Sequence, residues 1–270
     1  MEDLKKDARN FLIELIETPS FSREEENTAL VIEKHLKQKN ISYQRKMNNI
    51  WAKNLHFDAS LPTILLNSHH DTVKPNSAYT KNPFEALEKD GKIFGLGSND
   101  AGASLVSLWA VFTFFYNKKL KYNLIYAATA EEEISGKNGV SSILTDLGKI
   151  NFAIVGEPTK MDLAIAEKGL VVLNCVAKGT ASHAAHQNDD NSIYKALRDI
   201  QKVQQLKFDK ESEVLGNVKA TVTIINAGSQ HNVVPDQCLF TVDVRTNEHY
   251  TNSEIVEIFR TELESEIEPR

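Results

Sequence analysis

The sequence predicts an α/β protein in two parts: a first domain built on a central, mostly parallel sheet, then a smaller α+β domain. Three observations carry this. Short apolar runs at 63–67, 123–129 and 152–155 are separated by stretches with helical spacing, and strands that alternate with helices imply parallel pairing. Each run ends in groups able to bind a cation or move a proton: His69 and Asp71, Glu131 to Glu133, and Glu157. From residue 166 the order changes to strand, helix, strand, strand, helix. At 270 residues the chain exceeds the ~100–200 usual for one domain, so the division is placed at 1–165 and 166–270.

In order along the chain, Leu4, Ala8, Phe11, Leu12, Leu15 and Ile16 recur at helical spacing, and Pro19 closes that helix. Ser22-Arg23-Glu24-Glu25 reads as a capping box for a second helix reaching about Gln38. Residues 41–45 and 49–53 read as strands, and 75–83 as a loop. Gly91, Gly95, Gly97 and Ser98 lead to Asn99-Asp100, after which the apolar stretch 101–116 reads as a buried helix. In the second part, 170–178, 218–225 and 238–246 are expected strands, and 193–206 and 253–263 expected helices.

Composition excludes several classes. The net charge of −6 with no basic stripe argues against nucleic acid. The most apolar window is shorter than the ~20 residues needed to cross a bilayer, and the first residues lack an apolar signal core. Cys175 and Cys238 lie in strand-like runs, which fits a reducing, cytoplasmic setting better than a disulfide scaffold.

Chemistry concentrates at the strand ends. In an extended segment His69 and Asp71 share a face, so the carboxylate suits an orienter of a metal-ligating imidazole. Alone, His-x-Asp is a weak signal, and Glu131 to Glu133 alone reads as a solvated helix start. A parallel sheet gathers both at one edge with Glu157, and Asp100 opens a helix nearby. So many carboxylates share a site only if cations neutralise them.

Ser68-His69-His70-Asp71-Thr72-Val73, Asp100, Thr129-Ala130-Glu131-Glu132-Glu133 and Val155-Gly156-Glu157-Pro158-Thr159 resemble, in order and spacing, motifs of the dinuclear-zinc aminoacylase/carboxypeptidase family. That family includes acetylornithine deacetylase and succinyl-diaminopimelate desuccinylase. The resemblance implies a zinc-peptidase-like catalytic domain with an inserted lid, or dimerisation, domain. It implies two divalent metal ions, zinc expected and cobalt or manganese as substitutes. His69 and Glu157 would hold one metal, Glu133 the other, and Asp100 both. Glu132 would be the general base, taking a proton from the attacking water and passing it to the leaving amine, with Asp71 orienting His69. A cis peptide after Asp100 is also implied. Gly179-Thr180-Ala181-Ser182-His183 resembles the motif whose histidine stabilises the oxyanion in a partner subunit, so His183 and a homodimer through the lid are expected. Asn232 and Arg245 would hold the substrate carboxylate; otherwise Arg245 pairs with Asp243 or Asp236.

The activity implied is hydrolysis of the amide of an N-acyl amino acid, with N-acetylornithine leading and arginine biosynthesis as its setting. Ser68 to Pro75 carries that preference. The rivals are a desuccinylase, a dipeptidase or carboxypeptidase, and a truncated non-catalytic binding homologue. Departures from the family pattern include Lys74, Ala101-Gly102 and His186-Gln187. The largest concerns the C-terminus. The closing strand of the lid and the return to the catalytic domain, with a last metal-binding histidine, are expected to lie beyond Arg270.

Overall fold

The computed structural model describes residues 2–270 and resolves into two compact units, the first ending at Asp162 and the second spanning Leu163–Arg270. In the first, α1 (Glu2–Glu17) and α2 (Glu26–Gln38) precede β1 (Gln44–Lys46), β2 (Asn49–Lys53) and β3 (Thr63–His69). A small hairpin, β4 (Leu87–Lys89) with β5 (Lys92–Phe94), leads to a single π-type turn at Ser98–Gly102 and then α3 (Ala103–Phe115). β6 (Asn123–Thr129), a short α4 (Leu144–Leu147) and β7 (Phe152–Val155) complete the unit.

Its sheet runs β1-β2-β6-β3-β7. β3 pairs in parallel with β6 and with β7, whereas β2 is antiparallel to β6 and β1 to β2. The sheet is therefore mixed rather than mostly parallel, because the short Met47-Asn48 link turns the chain straight back from β1 into β2. All seven residues of β6 are buried, as expected of an uncharged central strand covered on both faces. On one face Phe11, Leu12, Leu15 and Ile16 of α1, Ile32 and Leu36 of α2, and Leu105, Trp109 and Phe112 of α3 form one core with Leu66 and Tyr126. Burying a Leu or Phe side chain stabilises by about 1.5–3 kcal/mol, so the helical spacing of these positions fixes which faces turn inward. α3 is not buried all round: Val111 and Phe114 are exposed.

The capping box expected at Ser22 is absent. Glu25 occupies the N-cap position of α2 without a side-chain cap bond, because Ser22 Oγ donates to Asp71 Oδ2 at 2.7 Å instead. The strand expected at 41–45 begins three residues later, at Gln44.

The second unit contains β8 (Gly169–Lys178), β9 (Ser182–His183), α5 (Ser192–Gln205), β10 (Lys219–Ala227), β11 (Val233–Val234), β12 (Gln237–Thr246), α6 (Asn252–Glu262) and β13 (Glu266–Pro269). Four strands form an antiparallel sheet ordered β10-β12-β8-β13. Alternate residues of β12 (Phe240, Val242, Val244) and of β8 (Leu173, Cys175, Ala177) face a core closed by Ala196 and Val203 of α5 and Ile255 and Phe259 of α6. Thr251 caps α6 in a full capping box with Glu254.

β13 corrects the expectation that the closing strand lies beyond Arg270. Glu266 pairs opposite Val176 and Pro269 opposite Leu173. Of its four residues only Ile267 is buried, and proline is tolerated because the strand lies at a sheet edge.

Candidate metal centre

The ends of the three parallel strands carry the donor groups, and the register brings them level. His69 stands opposite Thr129, the last residue of β6, and Asn67 opposite Val155, the last of β7. The chain leaving β6 reaches Glu131–Glu133 within four residues, and that leaving β7 reaches Glu157 within two. Asp100 arrives from the π-type turn before α3, where the Asp100–Ala101 peptide is cis.

The imidazole of His69 is almost wholly buried at the centre. Its Nε2 lies 3.1 Å from Asp100 Oδ1, 3.8 Å from Glu157 Oε2 and 3.8 Å from Glu132 Oε2. One donor atom each from His69, Asp100 and Glu157 fall within 4.8 Å of one another. One nitrogen and two carboxylate oxygens at that spacing are a donor set suited to zinc or a similar divalent ion. Asp100 and Glu132 are about half exposed, so the centre opens to solvent on their side.

The electrostatics agree. Burial alone would deprotonate His69, yet the Asp71 and Glu157 carboxylates overcome it and push its pKa up to about 11. Burial first, then the neighbouring carboxylates, raises Glu132 and Glu133 above the ordinary carboxylate range, His69 opposing. Among the described residues no Lys or Arg ion-pairs with Asp71, Asp100, Glu132, Glu133 or Glu157. The excess negative charge calls for a cation.

Asp71 does more than orient His69. The nearer partner of His69 Nδ1 is the Asp71 backbone carbonyl at 3.0 Å, with the carboxylate at 3.4 Å. The fully buried carboxylate of Asp71 accepts the backbone N–H groups of Glu132 (3.0 Å) and Glu133 (3.2 Å) as well as the Ser22 hydroxyl. Burial raises its pKa, but His69, Ser22 and the Glu132 amide outweigh that and keep it below the usual value. Ser22 carried a different sequence reading, as a helix cap. Its contact with Asp71 spans 49 residues and leaves no local signal.

Gly102 was noted only as a departure, and the packing explains it. A β-carbon there would lie 2.6 Å from the Gly97 carbonyl oxygen and 2.9 Å from Leu12 Cδ1. A side chain would push the turn holding Asp100 away from α1.

The remaining candidates lie in the second unit. His183 is exposed on β9, opposite Val233 of β11, and its Nδ1 accepts the Ala185 N–H at 3.1 Å. Asn232 is half-buried and its carbonyl accepts the Ala184 N–H. Arg245 is engaged by Asp243 through two contacts of 2.8 and 3.1 Å, which is the paired arrangement rather than a free carboxylate-binding fork.

Comparison with known proteins places these features among relatives. Residues 165–270 match the peptidase dimerisation domain of the M20 peptidases. The chain is 28% identical over 218 residues to a succinyl-diaminopimelate desuccinylase of Rickettsia bellii, covering 75% of this chain and 55% of the relative. It is 28% identical over 189 residues to an acetylornithine deacetylase of Myxococcus xanthus, covering 67% and 49%. The chain thus spans about half the length of these curated relatives. An M20 family metallo-carboxypeptidase of Sulfolobus solfataricus shares the fold with TM-score 0.75 at 17% identity, over 97% of this chain and 77% of that one. A dinuclear metal-binding M20 peptidase of Bacillus subtilis does so with TM-score 0.67 at 18% identity, over 100% and 74%.

Proposed function

Because residues 165–270 match the peptidase dimerisation domain of the M20 peptidases and the fold is shared with an M20 metallo-carboxypeptidase, we propose that the chain belongs to the M20 metallopeptidases and acts as a metal-dependent hydrolase on the amide bond of an N-acyl amino acid. The observation that carries this is the convergence of His69, Asp100 and Glu157 within 4.8 Å, with Glu132 beside them and not among the three. A bound divalent cation would lower the pKa of the attacking water and stabilise charge on the scissile carbonyl.

The residues divide the work as follows. His69 and Glu157 would hold one cation, Glu133, near enough to Asp100 to feel its charge, a second, and Asp100 both. Glu132, 3.8 Å from His69, takes the proton from water and hands it to the departing nitrogen, a task for a carboxylate not committed to metal. Asp71 fixes the backbone that carries Glu132 and Glu133. His183, Asn232 and Arg245 are assigned the oxyanion and substrate carboxylate; Arg245 must exchange its Asp243 partner to do so. The dimerisation-domain match supports a homodimer.

The Ser68–Pro75 segment favours N-acetylornithine, whereas the Rickettsia relative carries the desuccinylase name. The purified protein, loaded with zinc or cobalt, is assayed in parallel on N-acetylornithine, N-succinyl-diaminopimelate and dipeptides. Turnover of either N-acyl compound supports the proposal, and its ratio to the other assigns the acyl group. Turnover of dipeptides alone, or of nothing with metal bound, would overturn it.

A further inference from the structure

We infer that Glu25 is a positioning residue for the acidic loop Glu131–Glu133, acting as the counterpart of Asp71; its kinetic consequence rests on the hydrolase reading above. Three consecutive backbone N–H groups of that loop point at buried carboxylates. Glu131 donates to Glu25 Oε1 at 3.2 Å, Glu132 to Asp71 Oδ1 at 3.0 Å and Glu133 to Asp71 Oδ2 at 3.2 Å. Glu25 is 1% exposed, and among the described residues no Lys or Arg pairs with it. A buried carboxylate without a counter-charge is tolerated only when hydrogen bonds hold it. Here the donors are the Glu131 and Arg23 amides and Asn48 Nδ2, the last two at 2.6 and 2.9 Å.

The loop needs such a hold. Glu131 sits at φ +55°, a left-handed conformation that a β-carbon disfavours. Its own side chain is turned away from the metal centre and accepts Asn138 Nδ2 and the Asn138 amide, at 2.9 and 3.3 Å. Glu131 is therefore clamped at its backbone by Glu25 and at its side chain by Asn138. That clamp fixes the direction in which Glu132 leaves the turn toward His69. Glu25 also couples the ends of two neighbouring strands. Asn48, which donates to Glu25, faces His70 Nε2 through its carbonyl at 2.8 Å, and His70 Nδ1 meets Thr28 Oγ1 at 2.9 Å. His70 follows directly on β3 and Glu131 follows β6, so Glu25 and Asn48 tie the two strands that supply His69 and Glu132.

The test compares wild type, Glu25→Ala and Glu25→Gln in the full chain, by steady-state kinetics on the N-acyl substrate and by Co²⁺ titration followed in visible absorption. Glu25→Ala is expected to lower kcat about 10- to 100-fold while KM stays within about threefold, since a small misplacement of a reacting group has that effect. Its Co²⁺ affinity is expected to fall about 10- to 100-fold, as for other groups that orient metal ligands. Glu25→Gln keeps one acceptor oxygen for the Glu131 amide and should recover part of the lost kcat, while staying about threefold or more below wild type in both kcat and Co²⁺ affinity. A lower melting temperature with wild-type kcat and Co²⁺ affinity would mean that Glu25 only supports the start of α2, and the inference falls. If Glu25→Ala does not fold, Glu25→Gln decides: wild-type values in both assays overturn the inference, and a loss in both supports it. If the wild type hydrolyses no N-acyl amino acid, the proposed function fails, while the Co²⁺ titration still tests Glu25.

Discussion

Replacing Asp71 by Asn separates its two tasks, because the substitution keeps shape and removes charge. The carboxylate has an oxygen for each of two loop amides, Glu132 at 3.0 Å and Glu133 at 3.2 Å. Asparagine offers one oxygen and turns an amide NH2 toward the other N–H. One backbone donor must then lose its acceptor inside a site where Asp71 is 0% exposed. A hydrogen bond to a charged group contributes about 1.5–3 kcal/mol, and an orphaned buried donor costs about 1–3 kcal/mol. These figures overlap rather than add, so the loop should lose about 2 kcal/mol or more of local stability. At 1.4 kcal/mol per factor of ten, that speeds amide exchange at Glu132 or Glu133 about 30-fold. Hydrogen–deuterium exchange with fragment resolution across 127–139 reads this directly, with β12 of the second unit as internal control. Exchange within about threefold of wild type would refute the reasoning. It would show that Asp71 serves His69 alone, through the 3.4 Å contact.

Further predictions follow from the same geometry. Glu132→Gln should cut turnover about 10²- to 10⁴-fold, as for loss of a general base, while metal content stays unchanged; undiminished turnover assigns the base elsewhere. Saturating Zn²⁺ or Co²⁺ at about 100 times its Kd should stabilise the first unit by about 2.7 kcal/mol, and a chelator should reverse this; an unfolding midpoint indifferent to metal argues against the centre. His35 is stacked 4.1 Å from Phe11, and burial, opposed by Glu14, holds its pKa below 6.5. The folded state therefore binds its proton less readily than the unfolded state. Its contribution is present above 6.5 and is lost as pH falls below that value and through the lower pKa of the folded state. Relative to His35→Gln, the wild type should lose stability between pH 7.5 and 5, and parallel urea midpoints across that range would contradict this.

The sequence carried the strand ends clearly, because apolar runs that stop at Asn67, Thr129 and Val155 leave their polar successors at one sheet edge. What escaped it are contacts with no local trace. Ser22 meets Asp71 across 49 residues and Glu25 meets the Glu131 amide across 106. A serine three residues ahead of a glutamate looks like a helix cap until a distant carboxylate claims its hydroxyl. β13 was missed for another reason. Glu266-Ile267-Glu268-Pro269 has a single buried side chain, so neither apolar content nor propensity distinguishes an edge strand from coil. Arg245 shows what residue type leaves open: a guanidinium that suits a substrate carboxylate is paired here with Asp243 two positions away, a contact that only the folded chain reveals.

The level strand ends have a consequence for how the protein reaches its folded state. Sliding β7 against β3 by one residue would move Glu157 about 3.3 Å along the strand direction and turn alternate side chains to the opposite face. A metal site tolerates only about 0.2 Å in ligand distance. No mispaired arrangement of β3, β6 and β7 can therefore assemble His69, Asp100 and Glu157 into a donor set. An ion bound by the finished sheet would reward that one pairing and none of its neighbours, so metal at this centre would proofread the alignment of the strands that build it.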